Sequence, residues 1–564
     1  MISNDRPVKF NADTSEPSEN PKTAPSAGRR YFDHFPPSEN PDKNHDRDDD
    51  GSISSGSYVR TSPSLADSFA PAVGRLDYAH PIERWVRFRP FRLLLGLLAR
   101  PDRSGATRLE RILSSYRNPL SPLRRRVGYW LFHRLIDHFR GRTDVDTFRR
   151  HLAENRPVIR GLNVVARSLA EFGPTVPQKF SAPLFAVWNF TNRCNLACRH
   201  CYQDSKTAPA DGELTLDEKL NLVDQMGSAS MPMLAISGGE PTVSGDLIPV
   251  IRRAGAYGMH LSLATNGTTM TPRLADSLAE AGVRYVEISL DSADPARHDR
   301  FRGVAGMWER AVAGAKAVAA APGLRLGIAM CVHRGNFHEV RQMISLAEQL
   351  GAGCFAHFNF IPVGRGLKMV HGDITPTQRE ELLGILNEKM QQGGIGVIST
   401  APQLGRVCLA GSAGQAGKTV CSHAGSGSGL KARVVAKYLG GCGAGRTYVC
   451  IEPAGDVTPC VYLPHRVMGN IRQVSLVDIF RKSSLWDLLN DRSHRLHHCE
   501  VCAFGSFCGG CRARADAYFG QLHAGDPGCV FNDKHWEKLV NSGIAVVDQS
   551  DDEFKLTPTR HGPA

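Results

Sequence analysis

No stretch of this chain is apolar for long enough to cross a bilayer. The most hydrophobic run near the N-terminus, residues 91–99, falls well short of the roughly 20 residues that a spanning helix needs. Arg84, Arg87, Arg89, Arg92 and Arg100 flank it. An interfacial membrane helix is therefore one reading, and a helix packed on the protein's own core is the preferred one. The N-terminus also lacks a charged-then-apolar leader, so the expected compartment is the cytoplasm and no transmembrane segment is expected. Basic runs interleaved with aromatics are missing too. The formal charge of +12 then reads as a weak preference for anionic partners, with no nucleic acid among them.

The chain has 564 residues and 41% hydrophobic content, enough for real cores in two or three folded units. Its fifteen cysteines do not suggest a secreted disulfide framework, because the chain is long and their spacings are metal-like. Residues 1–75 are rich in Ser, Pro, Asn and Asp, with a charged run over 42–50. Such a segment buries too little apolar surface to offset chain entropy and is expected to be disordered. Residues 76–180 read as a helical N-terminal region. Tyr129, Leu131, Leu135, Ile136 and Phe139 form one apolar face there, and Ile159, Leu162, Val165, Leu169 and Phe172 another. No catalytic constellation falls in it; a helical appendage is preferred over a recognition module for a peptide or partner.

From residue 184 strands and helices alternate, with strands expected at 184–190, Met233–Ser237, 260–264, 285–290, 324–332 and 355–361. Thr215-Leu216-Asp217-Glu218 is a capping box. Thr271 with Pro272 opens another helix that Gly282 is placed to end. Six such units argue for an α/β fold with a parallel sheet curling toward a barrel. Residues 371–440 are expected to hold a helix at 376–390 and then a Gly-rich linker carrying Cys408 and Cys421.

The densest chemistry follows the first strand, in Cys194-x3-Cys198-x2-Cys201. Three thiolates in one loop grip a metal centre but leave its coordination incomplete, which marks a working site rather than a structural one. Zinc is the first alternative, but it usually takes four ligands. His200, lying between two of the thiols, would strain so short a loop.

This cysteine loop after a first strand resembles the signature of the radical S-adenosylmethionine enzymes. The resemblance implies a partial (β/α)6 TIM-like barrel over residues 181–370. Cys194, Cys198 and Cys201 would hold a 4Fe-4S cluster whose fourth iron binds S-adenosyl-L-methionine. Barrel enzymes work at their strand C-termini, where this loop lies. Gly238-Gly239-Glu240, after the second strand, is similar to the family's GGE motif, which holds the cofactor's amino group. Thr265 and Asn266 end the third strand and Ser289 the fourth, where the family places polar groups around cofactor and substrate. Asp291 and Arg302 are second candidates, with a turn cap as the plainer role for Asp291. Arg365, between Gly364 and Gly366, reads as an anion binder or an ordinary exposed arginine. Cys331 and Cys354 read as packed core thiols.

Residues 441–535 carry a second array: Cys442-x12-Gly-x4-Cys460, then Cys499-x2-Cys502-x5-Cys508-x2-Cys511 and Cys529. Ile451–Val457 reads as a small hairpin delivering Cys460. Spacing alone leaves zinc and iron–sulfur open. The array is similar to the SPASM extension of the same family, which commonly carries two auxiliary 4Fe-4S clusters. By that resemblance Cys499, Cys502, Cys508 and Cys529 ligate one cluster and Cys442, Cys460 and Cys511 the other. For a fourth ligand to the latter, Cys450, Cys421 and an open site compete. The family pattern has three residues before the last array cysteine, and this chain has two, over residues 508–515. That stretch resembles the haem-maturation branch, which alters tetrapyrrole propionate side chains. Residues 536–564 read as a tail.

The resemblance implies reductive cleavage of S-adenosylmethionine to a 5′-deoxyadenosyl radical that attacks a C–H bond. A peptide or protein is the leading substrate class, and a haem or other tetrapyrrole the alternative. A reducing donor such as a flavodoxin or ferredoxin would supply electrons. A non-catalytic iron–sulfur carrier or scaffold is the reading from another class, and no acid or base is assigned.

Overall fold

The structure, a computed structural model, describes residues 85–545 apart from 103–105, 119, 141–143, 412–416 and 423–424. The segment 1–75 and residues 546–564 of the expected tail lie outside the described residues.

Seven strands run parallel in sequence order: β1 (Phe185–Asn189), β2 (Met233–Ser237), β3 (His260–Thr265), β4 (Val283–Ser289), β5 (Arg325–Val332), β6 (Cys354–Asn359) and β7 (Gly396–Ser399). Their alternation is the period-2 pattern of a sheet with two different faces. In β2, Leu234 and Ile236 are fully packed under helices, while Met233, Ala235 and Ser237 face the lumen of the curled sheet. In β4, Val286 and Ile288 pack outward, and Tyr285, Glu287 and Ser289 face inward. The partial barrel inferred from six strand–helix units is thus present, with β7 paired to β6 as a seventh strand.

The helix signals hold in detail. Thr215 and Glu218 form the reciprocal capping box of helix Leu216–Ser228. Thr271 caps Pro272–Ala281, and Gly282 ends it in the left-handed region.

Residues 371–440 hold more regular structure than their glycine and serine content suggests. Helix Pro376–Gln392 is followed by β7, helix Gln403–Gly411, a hairpin of β8 (Lys418–Ser422) and β9 (Gly425–Ser428), and helix Gly429–Leu439. The barrel's edge explains the correction: β6 presents unpaired backbone groups, and even the four residues of β7 can satisfy them. On the opposite edge β10 (Tyr448–Ile451) adds parallel to β1, pairing Val187 with Cys450. Antiparallel β11 (Asp456–Thr458) and β12 (Gly469–Asn470) complete one ten-stranded sheet, and β10–β11 is the expected hairpin.

Helix Arg156–Phe172 attaches the N-terminal region to the barrel. Its Val164 belongs to the main core, and Arg160 donates to the carbonyls of Met226, Gly227, Met231 and Tyr257. The other expected apolar face is not a core face: Leu131 is 70% and Leu135 41% exposed, and the Phe139 side chain lies outside the described residues. Periodicity reports an amphipathic helix, not what covers it. Helix Arg89–Leu98 divides its apolar residues. Leu98 is buried and Gly96 abuts Ala170, while Leu93 and Leu97 are exposed. No helix among the described residues is long and apolar enough to cross a membrane.

A buried charge cluster ties helix Arg512–Phe519 to the segment after β6. The Asp373 carboxylate accepts from Arg379 at 2.7 Å, from the Tyr518 hydroxyl at 3.0 Å and from Arg514. Burial alone would raise the Asp373 carboxyl, but the two guanidiniums hold it below the usual range. Arg514 also faces Asp526, so two carboxylates balance two arginines. Asp373→Ala would leave buried guanidiniums without their partner, an expected loss of ~3–5 kcal/mol. Urea unfolding measures it, and a loss below ~1 kcal/mol would contradict the reading.

Candidate active site

The cysteine loop is gripped by main-chain contacts from three strand ends. After β2, the Gly239 amide donates to the Thr191 carbonyl at 2.7 Å and the Glu240 amide to the Arg193 carbonyl at 2.8 Å. A Cβ on Gly239 would fall on the Arg193 carbonyl. After β4, the Ala197 amide donates to the Arg302 carbonyl at 3.2 Å and the Arg199 amide to the Phe301 carbonyl at 3.0 Å. After β6, the Arg365 amide donates to the Cys201 carbonyl at 2.9 Å, and Gly364, at φ +57°, leaves no room for a Cβ against the Cys201 and Tyr202 carbonyls. Gly239 and Gly364 are therefore required for the approach itself.

Two side chains reinforce these main-chain contacts. Arg365 does not wait for an anion. Its guanidinium donates to the carbonyls of Cys198 (2.8 Å) and Ser205 (2.6 Å) and pairs with Asp204 (3.2 Å), so it braces the loop. Glu240, expected beside the cofactor, also joins strand ends. It is fully buried and accepts from the Thr265 hydroxyl (2.7 Å), the Asn266 amide (2.8 Å) and Thr242. Burial pushes the Glu240 carboxyl above its usual range, against hydrogen bonds that pull the other way. It joins the ends of β2 and β3.

Asp291 is more than a turn cap. It pairs with Arg302 at 2.6 Å and accepts from the Cys331 amide at 2.9 Å. Burial would raise its carboxyl, but Arg302 prevails and holds it down to about 2. Arg302 in turn donates to the Cys198 sulfur at 3.7 Å, placing a cation beside that thiol. His200 stacks on Phe301 with ring centroids 4.2 Å apart, and burial lowers its imidazole to about 3. It is a neutral packing residue of the loop.

One cavity of about 570 Å³ opens onto this assembly. Cys194, Cys198 and Cys201 line it beside Gly238 and Gly239, and Thr265, Asn266 and Ser289 line the neighbouring wall. Asn266 also donates to Asn195 at 2.8 Å, which links β3 to the loop. Cys442, Cys460 and Cys511 line the same cavity. Cys331 and Cys354 face it as well, rather than only packing in the core. The alternation of Ala329 and Cys331 along β5 is the signal that could have found this. Glu287 escapes sequence reasoning because a lone acidic residue in a strand carries no motif. Tyr202, whose hydroxyl donates to Asn189 at 2.9 Å, is hidden by the cysteines around it.

The remaining thiols fall into two neighbourhoods. Cys442 lies near both Cys460 and Cys511, and the Tyr448 hydroxyl donates to Cys460 at 2.6 Å. Cys499, Cys502, Cys508 and Cys529 form the other. The Cys450 thiol donates to Glu452 and accepts from Asn189, both at 3.4 Å, so it is already engaged beside β1. The Cys421 side chain lies outside the described residues. Among the described residues no three His, Cys, Asp or Glu side chains are placed to hold a single metal ion. Thiol-only groups of three and four suit iron–sulfur clusters, which spread their ligands over several irons. Burial pushes the Cys194, Cys460 and Cys508 thiols up to about 12, so a metal must displace their protons.

Two family models match this sequence: the Radical SAM superfamily over residues 188–347 and SPASM, an iron–sulfur cluster-binding domain, over residues 442–503. The AdoMet-dependent heme synthase of Methanosarcina barkeri (strain Fusaro) is 32% identical, over 62% of this chain and 97% of that protein. The chain belongs to the radical SAM superfamily.

Its cofactors are accordingly S-adenosylmethionine and 4Fe-4S clusters, and the thiol groups above have the donor chemistry for the latter. The PqqA peptide cyclase of Rhizobium meliloti is 30% identical, over 64% of this chain and 90% of that protein. Among solved structures, SuiB of Streptococcus suis bound to S-adenosylmethionine aligns with a TM-score of 0.52 over 75% of this chain and 93% of its own, at 14% identity, a likeness of fold.

Within this radical SAM barrel, Glu287 faces the cavity with the Tyr285 hydroxyl donating to it at 3.1 Å. Burial raises its carboxyl from 4.5 to about 7. The folded chain then holds a proton that the unfolded chain releases, so stability falls as pH rises from 4.5 to about 7. Glu287→Gln should flatten that slope, with a gain on the order of 3 kcal/mol above pH 7. Thermal unfolding across this pH range reads the difference; parallel curves for the two proteins would exclude the assignment.

Proposed function

We propose that this radical SAM enzyme modifies a C–H bond on a tetrapyrrole side chain, with Cys194, Cys198 and Cys201 holding the cluster that binds S-adenosylmethionine. The observation that carries the reading is the 32% identity to a heme synthase over 97% of that protein, and one cavity shared by the cysteine loop, Gly238 and Gly239, and the thiols of Cys442, Cys460 and Cys511 gives the reaction a place. When bound, the cluster and S-adenosylmethionine supply a 5′-deoxyadenosyl radical able to abstract hydrogen from an unactivated C–H bond. The chain's own residues hold the reaction space. Gly238, Gly239, Thr265, Asn266 and Ser289 bound the cofactor's side, and Arg302 sets the charge beside Cys198. Glu240 fixes the ends of β2 and β3 through Thr265 and Asn266.

A volume of about 570 Å³ lies within the range of small-molecule and cofactor sites. The resemblance to the SPASM extension ranks a peptide first, because enzymes that carry it are often peptide maturases. The likeness to haem synthases and the 508–515 stretch move the tetrapyrrole ahead. A peptide is the second reading, favoured by the likeness to the peptide cyclase. In either case residues 181–370 form the core and 441–535 the auxiliary cluster domain, ligated by Cys442, Cys460 and Cys511 and by Cys499, Cys502, Cys508 and Cys529. The enzyme works in the cytoplasm with a reducing donor such as a flavodoxin or ferredoxin. A non-catalytic carrier is disfavoured because it has no use for a cavity beside the loop.

Anaerobic incubation of the reconstituted, reduced protein with S-adenosylmethionine should form 5′-deoxyadenosine. An iron porphyrin bearing propionates is expected to raise the yield several-fold, and an unrelated peptide to leave it unchanged. Stimulation by peptide alone would reverse the order of the two readings. Replacing Cys194, Cys198 and Cys201 together by Ala should abolish the cleavage while iron and sulfide fall only by about one cluster's worth. Undiminished cleavage would remove the loop from the active site.

A further inference from the structure

Four guanidiniums lie among the C-terminal thiols without a carboxylate at ion-pair distance among the described residues: Arg446, Arg492, Arg495 and Arg512. Arg446, Arg495 and Arg512 are 0%, 4% and 1% exposed. The hydrogen bonds these four make run to main-chain carbonyls. Arg446 donates to Leu439 (3.0 Å) and Gly440 (2.8 Å). Arg492 donates to Gly505 (2.6 Å), Ser506 (2.7 Å) and the same Gly440 carbonyl (2.9 Å). Arg512 donates to Leu522 (2.8 Å) and Ala524 (2.7 Å), and Arg495 to Leu489 (3.4 Å). Two cations thus share one carbonyl oxygen, an arrangement that repulsion disfavours unless negative charge lies close by.

The contrast with neighbouring arginines is direct. Arg406 has Glu380, and Arg379 and Arg514 have Asp373 and Asp526. Asp526 also approaches Gly510, but its carboxylate is taken by Arg514, Gln403 and the Cys511 amide. A buried charge is tolerated when a partner compensates it. Here the nearby groups able to carry negative charge are the thiols, once a metal has displaced their protons. The Arg492 guanidinium sits against Gly441 and Gly509, between the Cys442 and Cys508 ends of the two cysteine neighbourhoods. Arg512 has a buried, unpartnered Nη2, which packs at Gly510 beside the sulfur of Cys499.

We propose that Arg446, Arg492, Arg495 and Arg512 are the counter-ions of the two auxiliary clusters and raise their reduction potentials. The inference rests on the auxiliary clusters proposed above. Thiolate-ligated clusters carry net negative charge and become more negative on reduction, so fixed cations favour the reduced form. These arginines are positioning residues; none is assigned contact with substrate.

The test uses the full chain carrying Ala at Cys194, Cys198 and Cys201, so that only auxiliary clusters contribute signal. Iron and sulfide are assayed first, and reduction is followed by electron paramagnetic resonance at controlled potentials. Arg492→Gln should lower the reduced-to-oxidised ratio at a fixed potential tenfold or more, a shift of 59 mV for a one-electron couple. Arg492→Lys should restore most of it. Arg512→Gln and Arg512→Lys repeat the comparison at the other neighbourhood, in case the first pair folds poorly. Equal shifts for Gln and Lys, or no shift at full iron content, would overturn the proposal. A parent protein without auxiliary iron would overturn the auxiliary-cluster reading itself, so the two failures are distinguishable.

Discussion

The whole site depends on how closely two pieces of backbone can approach. The cysteine loop has no regular secondary structure to hold three thiols in place, so it takes its shape from the ends of β2, β4 and β6. Those ends reach it through amides and carbonyls at hydrogen-bonding distance, which excludes a side chain at Gly239 or Gly364. Main-chain contacts of this kind hold geometry well because neither partner has a rotamer to change. The barrel therefore acts as a frame in which the ends of three other strands shape the loop that leaves β1.

Much of this is legible in the amino-acid order alone, for identifiable physical reasons. The alternation in Met233–Ser237 and the Thr215–Glu218 box are local signals, and local signals survive folding. The cysteine motifs are legible as well, since their spacing is local, while the division of the C-terminal thiols into ligand sets comes from the resemblance alone. What is not legible is relational. Gly396–Ser399 is too short to read as a strand on its own and becomes one only beside β6. Arg365 looks the same in sequence whether it binds a ligand or braces a loop 160 or more residues away. Leu131 and Leu135 have helical spacing whether or not anything covers them.

The buried charges divide the molecule by purpose. Around Asp373 and Asp291, acid and base are paired within the protein, and the pairs close the structure upon itself. Burial lowers Arg492 and Arg495 to about 9 and Arg446 to about 10, with neighbouring arginines acting in the same direction. Under the proposal above, this surplus of buried positive charge lies where anionic clusters would balance it.

The parallel pairing of β10 with β1 has a consequence for how this architecture can vary. Val187 and Cys450 are neighbours across one ladder, although 263 residues separate Asn189 from its partner Glu452 nearby. The strand that leads into the cysteine loop and the strand that leads toward Cys460 are thus adjacent threads of the same fabric. Removing the C-terminal region would bare the first strand's edge and invite association through it. The extension is woven in, not appended, and a lineage could lengthen the loops around it far more easily than lose it.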